Sequence, residues 1–275
     1  LSLRGLQRLH SAGLRVALVS CLESMPEDPL CCLWEPMTDP YDALMDHLAG
    51  LAVAAVQSPT AAVQAYWLML ASHQYAQDTR LTLDSLWTQA PATTWAQPYA
   101  LQTLRQVLEQ GLGCEPGKFF AASGPAPEGT GAPGGSRLWH WTPAYLPYLD
   151  DLHDQTGRIW QAACVLYSRQ ADTAAACPPE VRRGAVLFDA GLYFACHEYF
   201  ETLWGRTADG ASDFYQGLIQ VAVAMRHLQS HNVRGAMILL RYGMGRLQRY
   251  PAVYKALPVG RFLHRLDGLL GHLEP

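Results

Sequence analysis

Apolar and polar positions alternate along most of this chain with the period of an α-helix. Val63, Trp67, Leu70 and Gln74 share one helical face, as do Leu152, Ile159, Ala163 and Leu166. Helix punctuation agrees with that period. Pro40 opens a helix from Tyr41 to about Gln57, and Pro59 opens the next, through about Gln77. Thr79–Gln89 and Gln97–Gln110 read as two more, closed by Pro91 and Gly111. Further on, helices are predicted over Asp150–Ser168, Pro179–Ala190, Tyr193–Trp204, Asp213–His231, Asn232–Tyr250 and Val259–Leu273. Gly191, Gly205 and Pro251 supply stops.

Two stretches depart from this pattern. Leu14–Ser20 is short, apolar and bounded by Gly13, and is the one candidate strand, behind a short helix over Leu1–His10. Cys114–Ser136 is rich in Gly, Pro, Ala and Ser and reads as a connector. The expected organisation is a mainly helical module over 1–113 with that one strand, a linker or loop over 114–137, and a compact helical bundle over 138–275. The fold class is all-α, and short connections imply antiparallel neighbours.

With 275 residues, 49% of them hydrophobic, the chain can bury a core without disulfides. A net charge of −4 and the lack of a basic stripe argue against a nucleic-acid partner. No run reaches the ~18 apolar residues of a spanning helix, so no membrane partner is expected. The seven cysteines form no CxxC pair, which fits a reducing cytoplasm. The chain starts at Leu1 rather than Met, compatible with a longer parent or a processed start. GxxxxGK[ST] and GxSxG are absent, and the GxGxxG string at Gly129–Gly134 sits inside the Gly/Pro-rich connector rather than between a strand and a helix, so nucleotide cradling and an α/β-hydrolase triad lack support. A low surface charge is compatible with a homo-oligomer, and the expected partner is a small molecule or a protein.

Candidate chemistry concentrates in LFDAGLYFACHEYFETLW, Leu187–Trp204. His197 and Glu201 are four apart and project from one helix face. Zinc, iron or manganese accepts such a donor pair, but two ligands are too few. His227 is the candidate third, with Glu198 and His231 as supplements. Glu198 lies about 100° round the helix from His197, which predicts a different face. HEYFE is not HExxH, because Glu201 replaces the second His, so a zinc protease is excluded. The same residues also support a metal-free reading. There, His197, Glu201, Trp204, Gln216 and Gln220 form a buried polar network in a binding or scaffold module. Metal-free acid/base catalysis is a third reading.

His197, Glu201 and Trp204, followed by QGLIQ at Gln216–Gln220, His227, and the Asn232, Gly235, Ala236 turn, resemble domain-of-unknown-function family 309. The resemblance covers about Val181–Gln248. It implies a small all-helical fold and a suspected metal-binding role, with a metal-dependent hydrolase as one form of it. The family usually has Gly before the Asn, where this chain has His231. His231 must therefore adopt a left-handed conformation or lengthen its helix.

Overall fold

The computed structural model describes residues 40–75, 81–111, 113–114, 117–123, 138–168, 177–207 and 211–274. The helix and strand expected over 1–20 lie outside them. Pro40–Pro275 forms one compact unit. It is mainly α-helical, with ten α-helices among the described residues.

In the first half, α1 is Pro40–Ala55, α2 Pro59–Tyr75, α3 Leu83–Trp87 and α4 Gln97–Arg105, which runs on as a π-helical turn to Gly111. Proline at the start of α1 and α2 costs no hydrogen bond, since the first N–H groups of a helix have no partner within it. α3 is shorter than the helix expected over Thr79–Gln89. Leu81, fully buried, pairs instead with Trp139, through N–H···O bonds of 3.1 and 2.9 Å. A capping box then starts the helix: Thr82 Oγ1 accepts from Ser85 N at 3.0 Å, and Ser85 Oγ accepts from Thr82 N at 3.1 Å.

Strands occupy the first part of the segment expected to be an irregular connector. β1 (Gly113–Cys114) pairs with β2 (Gly117–Lys118), and β3 (Phe120–Ser123) pairs antiparallel with β4 (Leu138–Trp141). The cause is apolar. Phe119 and Phe120 are buried, and the Phe119 ring meets Tyr145 at 4.8 Å and Trp141 at 5.9 Å. Trp141 Nε1 donates to the Ala71 carbonyl, tying the hairpin to α2.

The rest is helical. A 3-10 turn (Pro143–Tyr148) leads into α5, Leu149–Ser168, whose predicted stripe of Leu152, Ile159, Ala163 and Leu166 is buried. Then come α6 (Pro179–Asp189), α7 (Tyr193–Trp204), α8 (Ser212–Gln229), α9 (Val233–Leu247) and α10 (Val259–Leu273). α2 packs on α5, α1 on α2, α5 and α7, and α8 on both α7 and α9.

Two close approaches set the C-terminal helices. At Gly184 of α6, a Cβ would overlap the ring of Phe200 in α7. Where α8 crosses α9, a Cβ on Gly243 would lie 2.9 Å from the Gly217 carbonyl oxygen and from Val221 Cγ2. Turns are equally specific. Gly191 takes φ +73° between α6 and α7, and His231 takes φ 60° between α8 and α9. His231 thus adopts the left-handed conformation rather than extending its helix.

Alanine at Gly243 is expected to destabilise the protein by about 1–3 kcal/mol, because backbone must move. Alanine at Gly245, which has open space around it, is expected to stabilise by about 1 kcal/mol. Urea unfolding of both variants checks the pair; equal effects would contradict the close crossing. His231→Gly is expected to stabilise by up to about 1 kcal/mol, since the left-handed strain outweighs the added chain entropy. A lower melting temperature would overturn that reading.

Candidate metal centre

α7 has two faces. Ala195, Cys196, Tyr199 and Phe200 are buried, and Cys196 Sγ donates to the Gly184 carbonyl. This locks the rotation of the helix against α6. Phe194, His197, Glu198 and Glu201 are then left together on the half-buried side.

His197 is the hinge of the cluster. Its Nε2 stands 3.0 Å from Glu201 Oε1, one helical turn on. Its Nδ1 stands 3.3 Å from Glu198 Oε1, yet this buried nitrogen has no hydrogen-bond partner. One ligand atom from each of the three residues falls within 4.8 Å of the others. The expectation that Glu198 belongs to another face is therefore corrected. The imidazole carries a nitrogen on each edge, so it reaches one carboxylate with each.

The side chains of His197, Glu198 and Glu201 are 15%, 44% and 34% exposed. Burial pushes the Glu198 carboxyl up, His197 opposes that, and Glu201 and Asp46 raise it further. Asp46 comes from α1, and neither lysine nor arginine is among the charges that shift Glu198. Asp46 carries no local signal in the sequence. Only the packing of α1 on α7 brings it to the site.

The structure does not bring His227 into this group. His227 is 7% exposed, and its Nδ1 lies 3.0 Å from Asn232 Nδ2. Asn232 Oδ1 accepts from Gly235 N, so Nδ2 must face the imidazole. Nδ1 of His227 is thus the acceptor, and the ring proton sits on Nε2. His227 and Asn232 form the α8–α9 turn, and His231 is exposed beside them. Trp204 Nε1 donates to Ser212 Oγ at 2.7 Å, joining the end of α7 to the start of α8. Gln216 is half-buried; Gln220 is 4% exposed with its Oε1 unpartnered. No hydrogen bond joins either glutamine to the cluster among the described residues.

Residues 181–239 match the family model of a domain of unknown function, DUF309. No curated protein and no solved structure matches the chain. The DUF309 segment runs from α6 into α9 and contains His197, Glu198, Glu201, Trp204, Gln216, Gln220, His227 and Asn232. α1, with Asp46, lies outside it. No helix among the described residues is long and apolar enough to cross a membrane.

The His227 turn makes a pH prediction. Burial first, and the Arg226 guanidinium second, hold the His227 imidazole below its ordinary value of 6.5. The unfolded chain therefore takes up this proton at a higher pH than the native one. The stability contribution is complete above 6.5 and is lost as pH falls below it through the lowered native value. The melting temperature is expected to fall between about pH 7 and about pH 5. His227→Gln, which keeps an acceptor but does not titrate, is expected to fall less. Equal falls would remove His227 as the cause.

Proposed function

We propose that this DUF309 helical domain binds a divalent metal ion, through one nitrogen of His197 and one carboxylate oxygen each from Glu198 and Glu201. The observation that carries this is the approach of three ligand atoms within 4.8 Å. Two features support it. His197 Nδ1 is buried beside a carboxylate with no hydrogen bond made. Glu198 and Glu201 also flank one imidazole, and Asp46 lies within electrostatic reach of Glu198, so the site carries excess negative charge. The residues present therefore fit a cation. One imidazole with two carboxylates suits manganese, iron or zinc.

Three protein ligands leave coordination positions free for water or substrate. A divalent ion held there supplies Lewis acidity and an acidified water, the chemistry of metal-assisted hydrolysis. Burial of the His197 side chain, only 15% exposed, keeps the imidazole in place. Asp46 adds to the attraction for the cation without belonging to the family segment.

A metal-free alternative has its own support. The Trp204–Ser212 bond at 2.7 Å makes the motif tryptophan a tie between α7 and α8. In that reading the 3.0 Å contact of His197 with Glu201 is an ion pair within a binding or scaffold module.

Metal analysis by mass spectrometry on tag-free protein separates them. Near-stoichiometric metal is expected in the unaltered chain. Its loss is expected in His197→Ala/Glu201→Ala, with the far-ultraviolet dichroism unchanged. No metal after reconstitution with manganese, iron or zinc, and a lower melting temperature in the variant, would make the cluster a structural network.

A further inference from the structure

The seam between α1 and α7 holds more than the His197 cluster. A cleft of about 50 Å³ opens where α1, the start of α7 and the end of α8 meet. Met45 and Ala49 of α1 and Tyr193 and Phe194 of α7 supply its apolar part, and Arg226 and Gln229 of α8 its polar edge. The Phe194 ring also lies 5.7 Å from the His197 ring. Phe194 and His197 are three apart on one helix face, so the cleft adjoins the cluster.

The arginine at this edge, like Arg206, Arg234 and Arg261, makes no ion pair among the described residues. Arg158, Arg241, Arg246 and Arg249 each pair with a carboxylate. Arg226 is exposed and pairs with no carboxylate among the described residues. Gln229 beside it is fixed, because its Nε2 donates to the Gly191 carbonyl at 3.0 Å. The Arg158 guanidinium also lies against Gly191, where a Cβ would come within 2.6 Å of it. Arg158 is already paired with Asp154, so Arg226 is the cation the cleft itself presents. A thioether, a methyl group and two aromatic rings beside a free guanidinium match one ligand chemistry. The ligand has a short apolar body and ends in a planar anion that a guanidinium fork can grip with two hydrogen bonds.

We infer that this cleft binds a small organic carboxylate with a short apolar tail. Resting on the metal reading above, such carboxylates are also the substrate class presented to the His197 cluster. Arg226 and Phe194 come from the DUF309 segment, whereas Met45 and Ala49 come from α1 outside it. The fit of the tail is accordingly set by this chain and not by the family segment alone.

The test uses hexanoate as probe, with 1-hexanol as its uncharged counterpart, on the full metal-free chain. Binding is followed by calorimetry and by amide shifts of the residues around Phe194. Hexanoate is expected to bind at least about tenfold more tightly than hexanol, the margin of one charge-assisted pair. Arg226→Gln, a surface change, is expected to bring hexanoate down to the hexanol level and leave hexanol unchanged. Ala49→Leu, which fills the cleft, is expected to weaken both. Equal binding of the two probes, no binding of either, or no effect of Arg226→Gln would overturn the proposal. A manganese titration of the same sample keeps the two readings apart. Hexanoate binding without metal uptake would sink the metal reading and leave the cleft standing. Metal uptake without hexanoate binding would sink the cleft alone.

Discussion

The contact of Phe200 with Gly184 governs the C-terminal helices. The ring takes the space that a Cβ would fill, so α6 and α7 close on each other. Cys196, one helical turn before Phe200, adds a hydrogen bond from its thiol to the Gly184 carbonyl. Together they fix the rotation of α7 about its axis. With that rotation set, the apolar residues of the helix enter the core, and Phe194, His197, Glu198 and Glu201 must share the other side. A helix turned by one residue would bury the carboxylates and expose Phe200, a change that desolvation forbids.

The electrostatics of the candidate centre follow from that placement. Glu198 and Glu201 are half-buried next to an imidazole, and Glu198 lies within reach of Asp46. Elsewhere in the fold, carboxylates find arginines: Asp213 of α8 bridges Arg246 of α9 and Arg249 just past its end. At the cluster no such partner shifts Glu198. Like charges held together in reduced dielectric repel unless a cation intervenes. The same reasoning separates the two histidines of the motif. His197 faces carboxylates, while His227 faces an amide, and burial first and Arg226 second favour its neutral form.

Much of this was legible because it is local. Proline at helix starts, Gly191 and Gly205 at helix ends, and apolar spacing depend on neighbouring residues, and the helices of 177–274 fall close to where those signals place them. The juxtaposition of His197 with Glu201 follows from helix pitch. Other features depend on partners distant in the chain. Leu81 left the helical pattern because Trp139 offers it a bridge. Phe119 and Phe120 ordered the start of a Gly/Pro-rich stretch because Trp141 and Tyr145 await them.

The chain by itself therefore determined a mainly helical fold, the bounds of most helices and one imidazole–carboxylate pair, since these rest on contacts within a few residues. Only the tertiary structure decided which third group joins that pair. Glu198 enters because the imidazole has two edges, and His227 stays out because Asn232 holds it at a turn. It also decided that α1 packs on α7, bringing Asp46 to the cluster and Met45 and Ala49 to the cleft. The physical reason is that side-chain convergence depends on helix rotation and packing distance. Both are set by contacts such as Phe200 with Gly184, which no periodicity along the chain reveals.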